Sequence, residues 1–296
     1  IDFSKFDFSK VISTKNMFAN CTNLKKIEFG SINTSSLTNM ESMFLNCSNL
    51  TSIDLSKFNT NKVETFYSIF FYCISLKTIN LRNMNTSSSK NMINFFFHCE
   101  KLEYIDISSF DTSSVTDMTH MFFHCYSLKI IIFPDVFDIS NVERMHAIFS
   151  HCSSLIALNL SVFHLNRNVD IGYMFHNCKN LKYIDLSNFP FIEITIFEYT
   201  FRLLSSLIYL NIPTLEKLNN SNMVDTFEYP SSVLKICAKQ PNMINYLSTQ
   251  YLNNNCEDLC FNENIKIGND TNECILSCKE KGYDYEYLNI CFHQCP

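Results

Sequence analysis

The sequence predicts an α/β solenoid: similar coils stacked with a parallel sheet on one face and short helices on the other, closed by a small disulfide-rich C-terminal module. Three observations carry this reading. Cysteines recur at Cys21, Cys47, Cys73, Cys99, Cys125, Cys152 and Cys178, with spacings of 26, 26, 26, 26, 27 and 26 residues. A phenylalanine stands three residues before each, from Phe18 to Phe175, and the series continues at Phe201 and Phe227, where Leu204 and Pro230 replace cysteine. A leucine stands three residues after each position, from Leu24 to Leu207, with Val233 closing the column. Self-similarity at a fixed period of about 20–50 residues is the mark of a stacked repeat.

Residues 110–133, FDTSSVTDMTHMFFHCYSLKIIIF, show one unit. Thr112, Ser113 and Ser114 suit helix N-caps, because their side-chain oxygens can accept from the unpaired amides of a first turn. Ser114 with Asp117 resembles a capping box. Val115, Met118, Phe122 and Cys125 follow at helical spacing, which predicts a short helix. After Leu128 the alternation at Ile131 and Phe133 predicts a strand. Neighbouring strands would lie about 4.8 Å apart in one ladder. The 27-residue step falls at Pro134-Asp135-Val136 and is expected to be absorbed as a harmless bulge. Residues 1–240 form the predicted solenoid, and residues 241–296 the Cys-rich module.

Composition narrows the function. A net charge of −6 without a basic cluster argues against nucleic acid, whose phosphates require concentrated Lys and Arg. The four glycines are too scattered for a phosphate-cradling loop. No apolar run reaches the roughly 18 residues of a membrane-spanning helix, so this segment is expected not to span a membrane. Ile1-Asp2-Phe3 aligns with Ile27-Glu28-Phe29, and the other end stops in mid-pattern. Both suggest a piece of a longer protein, whose parent can carry an anchor.

The pattern F-x-x-C-x-x-L-x-x-I-D-L-S-x-F-[ND]-T-S-x-V-T-x-M resembles the BspA-like, Treponema pallidum-type leucine-rich repeat. Leu102, Ile105, Ile107, Phe110, Val115, Met118, Met121, Phe122 and Cys125 match it. The resemblance covers residues 1 to about 238 and implies a secreted or surface-anchored recognition protein. Leu204 and Pro230 depart from the cysteine column, and Asn168 from the valine column.

The repeat cysteines read as a buried column of free thiols acting as small hydrophobes. Cys237, Cys256, Cys260, Cys274, Cys278, Cys291 and Cys295 form a second population. Their paired spacing fits helices stapled by disulfides, such as one around Cys274–Cys278, with zinc as the alternative ligand chemistry. Connectivity does not follow from spacing. N-x-[ST] sequons at Asn33, Asn85, Asn219 and Asn269 fall in expected loops and are the better glycosylation candidates.

The candidate binding site lies on the exposed sheet face. Its Asx ladder breaks at Ile132, and Tyr104, Asp106, Ile130, Ile132, Tyr183, Asp185 and Tyr209 are expected to form an apolar, tyrosine-studded patch with acidic flanks. Aromatic anchors in polar surroundings are typical of binding hot spots. His98, His124 and His151 share one column, for which a polar surface position is a simpler reading than a shared metal. No G-x-S-x-G or H-E-x-x-H constellation occurs, and neither catalysis nor a cofactor is expected. The expected function is recognition or adhesion at a cell surface, toward a protein or glycan of another cell or matrix. The alternative is a structural subunit of a coat or fibre, assembled from copies of itself.

Overall fold

The computed structural model describes residues 1–164, 169–186, 194–212, 226 and 234–238, with four short strands between 266 and 292. The strands are β1 (Ser52–Asp54), β2 (Thr78–Asn80), β3 (Tyr104–Asp106), β4 (Ile130–Ile132), β5 (Phe137–Asp138), β6 (Ala157–Asn159), β7 (Phe163–His164) and β8 (Val169–Asp170). They continue as β9 (Tyr183–Asp185), β10 (Ile194–Ile196), β11 (Tyr209–Ile212), β12 (Lys235–Ala238), β13 (Lys266–Gly268), β14 (Cys274–Ile275), β15 (Tyr285–Tyr287) and β16 (Ile290–Phe292).

Register confirms the solenoid. Ile53 pairs with Ile79, Ile105 with Ile131, and Leu158 with Ile184, each one repeat apart and parallel. Leu210 continues the last series to Ile236. The middle residue of each strand points inward, so Ile53, Ile105, Ile131, Ile184 and Leu210 are all buried. A second parallel column of single bridges runs Ser13–Asn39–Thr65–Asn91–Asp117–Arg144–Asp170. Between these faces the phenylalanine column stacks in register. Successive rings from Phe18 through Phe201 lie 5.4–6.0 Å apart and within 14° of parallel. Each such contact adds about 0.5–1.5 kcal/mol beyond its buried area.

The expected helices do not form: the described residues contain none. Each stretch before a cysteine is a run of tight turns. Met17, Ala19 and Cys21 N–H donate to Thr14, Asn16 and Phe18 C=O, while the alternate amides reach outward. Asn16, Phe18 and Asn20 donate to Glu41, Met43 and Leu45 of the next coil. Helical hydrogen bonds are internal to a segment, and a helix with its side chains is about 10 Å across. It cannot stack at the 5.4–6.0 Å spacing of the phenylalanine column. The turns instead need a left-handed residue every fourth position: φ is +56° at Asn16 and +62° at Asn20, and the pattern recurs through Tyr199 and Leu203.

The expected N-caps also do other work. Thr86 Oγ1 donates to Asp111 C=O at 2.7 Å and accepts from Asp111 N–H at 2.9 Å, joining one coil to the next. Thr34 and Thr60 make the same double bond, and Thr112 donates to Asp138 C=O. All four are buried. Instead of closing a capping box with Ser114, Asp117 accepts from Thr119 N–H and pairs with the Arg144 guanidinium of the next coil.

The 27-residue step is more than a bulge. β4 ends one two-stranded sheet with β3, and β6 begins a separate sheet running β6-β9-β11-β12. The expected continuous ladder is therefore interrupted there, and again between β2 and β3. At the C-terminal end β13–β16 form their own mixed sheet in the order β14-β13-β16-β15. Cys274 lies in β14, not in the expected helix. The β-branched and aromatic residues Ile267, Ile275, Tyr285, Tyr287 and Ile290 suit a pleated sheet better than a helix.

Thr86→Val keeps the shape and removes the hydroxyl, leaving the amide and carbonyl of Asp111 without it. Denaturant unfolding is expected to show a loss of about 1–3 kcal/mol.

Candidate functional site

The sheet face changes character along its length. Its first strands offer a shallow groove of about 290 Å³, where Ile27, Ile53 and Ile79 are flanked by Lys26, Glu28, Asp54, Thr78 and Asn80. At β3 and β4 the same columns turn apolar. Tyr104 pairs with Ile130 and Asp106 with Ile132. Tyr104 is 46% exposed and Ile132 38%, Asp106 is exposed, and Ile130 is half-buried. Burial, and then the Asp106 carboxylate, raise the Tyr104 phenol above its ordinary pKa, so it is a neutral hydrogen-bond donor at neutral pH. The Lys129–Glu103 ion pair, at 2.9 Å, borders the patch.

Beside Ile132 the interruption between β4 and β6 opens a groove of about 350 Å³. Ile131, Ile132, Phe133 and Pro134 wall one side, and Leu155, Ala157, Leu158 and Val162 the other, with Asp135 and Asn159 as its polar members. This groove was not legible beforehand, although its signal, the single 27-residue step, was. Tyr183 and Tyr209 depart from the expectation: they are only 3% and 2% exposed. The Tyr183 hydroxyl donates to the Asp185 carboxylate at 3.2 Å, which lays the ring along its strand. Asn211 Nδ2 donates to the same carboxylate. The exposed part of the expected patch is thus Tyr104, Asp106 and Ile132, with Ile130 half-buried between them.

The turn face carries a second cluster. His98, His124 and His151 each occupy the left-handed position before a cysteine, with φ of +58°, +60° and +65°. Asn20, Asn46 and Asn177 hold the same position in other coils. Asn and His tolerate this conformation better than most residues, which favours them in the column, although Tyr72 and Leu203 also hold it. Ring centroids are 4.2 Å apart for His98–His124 and 4.3 Å for His124–His151, and His176 lies 5.1 Å beyond. Burial, then neighbouring imidazoles led by His151, lower His124 to about 4. Burial and then Lys179 lower His151. Burial and then His146 lower His120, whereas a hydrogen bond donated to the Asp170 carboxylate raises His146. The sequence reading missed His120, His146 and His176, which join this ridge from neighbouring columns. Among the described residues no three His, Cys, Asp or Glu side chains are arranged to hold a metal ion.

The thiol column is free and directional. Cys47, Cys73, Cys99, Cys125, Cys152 and Cys178 are buried, and each Sγ donates to the carbonyl of the stacked phenylalanine one coil back, at 3.1–3.4 Å. Burial pushes Cys47 and Cys178 up to about 12 and raises the others in the same direction. Cys99 therefore faces the core beside Phe70 C=O while His98 stacks on Tyr72, so the two do not form a dyad. Of the disulfide candidates, Cys237, Cys274 and Cys291 lie in β12, β14 and β16. Cys256, Cys260, Cys278 and Cys295 lie outside the described residues, as do the sequons Asn219 and Asn269. Asn33 is exposed and Asn85 half-buried, and each side chain accepts from the amide two residues on.

The repeat with its stacked turns, threonines and thiols matches a known family, described as Mycoplasma protein of unknown function, DUF285, over residues 1–104, 54–154, 90–209 and 130–236. The chain belongs to this family. The overlapping matches, each offset along the array, end inside β12. No curated protein matches the chain. Among solved structures, it is similar to a leucine-rich repeat protein of Bacteroides ovatus, with 19% identity over 76% of this chain and 63% of that one, at a TM-score of 0.36. A leucine-rich cell surface protein of Faecalibacterium prausnitzii shares 19% identity over 80% and 76%, at 0.25. The TLR13–ssRNA13 complex shares 15% over 77% and 42%, at 0.26. The chain thus spans about three-fifths of the length of the first of these.

Thiol burial makes a direct prediction. Alkylation of the native chain with iodoacetamide at pH 8, followed by peptide mass mapping, is expected to leave the six cysteines from Cys47 to Cys178 unmodified. The half-buried Cys21 reacts first, and the six become reactive only in denaturant.

Proposed function

We propose that the chain is an extracellular recognition module that binds a protein or glycan partner through its sheet face. The observation that carries this reading is the in-register patch of Tyr104, Ile130 and Ile132. Tyr104 and Ile132 are exposed there, Ile130 is half-buried, and the patch adjoins the groove between β4 and β6. Exposed apolar surface on a soluble fold marks an interaction site more often than chance, and Asp106 and Asp135 supply a polar rim that orients a partner. The resemblance to BspA-like repeats supports placement at a cell surface, with the Cys-rich segment as a disulfide-stapled stem and Asn33 as the more open glycan acceptor.

A second reading is assembly of copies of the chain into a coat or fibre, since coils that contact only their neighbours along one axis can also stack between molecules.

The test is saturable binding of the purified chain to cell monolayers and to immobilised matrix proteins or glycans. Tyr104→Ala with Ile132→Asp is expected to weaken binding at least about tenfold, as loss of a hot spot does, with unfolding unchanged. Undiminished binding by this variant removes the patch as the site. Concentration-dependent sedimentation of the wild type, without binding to any of these surfaces, favours self-assembly.

A further inference from the structure

We propose that the imidazole column of His98, His124 and His151 makes the turn face an acid-sensitive seam: protonation under mildly acidic conditions loosens the contacts between successive coils there, while the apolar core stays closed. The geometry is the first argument. Three rings pack edge-on or tilted at centroid distances of 4.2 and 4.3 Å, with His176 edge-on at 5.1 Å beyond His151 and Tyr72 stacked on His98 at 4.5 Å. Neutral rings pack well at such distances, but adjacent imidazolium ions repel, and partial burial strengthens the repulsion.

The surroundings offer little counter-charge. Glu100 touches His98 Nδ1 at 3.2 Å, at the N-terminal end of the column. His124 Nδ1 meets the Tyr126 hydroxyl and His151 Nδ1 the Ser150 hydroxyl, both at 3.0 Å, and neither partner is anionic at neutral pH. His124 feels His151 and His98 of the adjoining coils, His120 of its own coil and His176 farther along, and His151 feels the positive Lys179. The nearby acids are engaged beside the column: Asp117 holds Arg144 and acts on His120, while Asp170 and Glu198 act on His146.

The sign follows from linkage. His124 titrates at about 4 in the fold against roughly 6.5 unfolded. Its contribution is therefore full above about 6.5 and is lost as pH falls toward about 4. His151 shifts the same way. His146 has the opposite sign: its contact with Asp170 is strongest in acid and is lost as pH rises through its own elevated pKa. Acid thus weakens the column and spares the adjacent pair. The structural reporters are the amides of the column itself, since His98, His124 and His151 N–H donate to Phe123, Ser150 and His176 C=O of the next coil.

The experiment compares the wild-type chain with a triple variant, His98→Asn, His124→Asn and His151→Asn. Asparagine holds the same left-handed position at Asn20, Asn46 and Asn177, so the backbone is accommodated. Native-state amide exchange, corrected for intrinsic rates, is read at pH 7.5 and pH 5. In the wild type, protection at 98, 124 and 151 is expected to fall about tenfold relative to the strand amides of Ile105 and Ile131, while the variant shows no such differential loss. An equal loss in both chains overturns the proposal. Imidazole titration by NMR on the wild type decides independently of the variant: His124 is expected near 4, and an ordinary midpoint of about 6.5 overturns it.

Discussion

Hydrogen bonding from coil to coil is the constraint on which the rest depends. A 26-residue coil has no regular element long enough to satisfy its own backbone, so the polar groups of each face must find partners one repeat away. On the sheet face this gives parallel pairing such as Ile105 with Ile131. On the turn face it gives Phe18 to Met43 and its successors. At the third corner, buried threonines supply both donor and acceptor to one residue of the next coil. Buried polar groups left unpaired are costly, and this requirement holds sequence register as firmly as the apolar columns do.

Packing then follows the same translation. Because every coil repeats the path of the last, like residues lie over like, and Phe44 stacks on Phe70 within 2° of parallel. The thiols exploit this alignment, each closing on a phenylalanine carbonyl that already accepts the cysteine amide of its own coil. The thiol bond is dispensable because that carbonyl keeps its amide donor, as Phe175 C=O does from Cys178 N–H, and Leu204 takes the position in a later coil as a buried apolar residue.

The solenoid, its period and its core columns were legible because translation copies side-chain type into sequence spacing. The turn face was misread because runs of four-residue turns place Met118 and Phe122 four apart, as a helix does. What distinguishes the two is backbone handedness, which the sequence signals only in part: Asn16, Asn20 and His124 suit a left-handed residue, but Ser42, Tyr72, Ala147 and Leu203 hold the same positions. Tyr104 and Ile132 were placed correctly as surface residues, since alternation fixes which face a strand residue takes. It does not fix how deep that face lies, so Tyr183 and Tyr209 were read as exposed. The groove came from one added residue, whose effect depends on whether neighbouring strands can stay paired.

The turn face has one further property. From coil to coil its amides point toward the C-terminal end and its carbonyls toward the N-terminal end, as in Asn16 to Glu41 and Tyr173 to Glu198. The peptide dipoles therefore add along the axis in the sense opposite to an α-helix, whose amino end is the positive one. Along these turns the array is polar, so a further coil that continues their hydrogen bonds must present amides to carbonyls and therefore join head to tail.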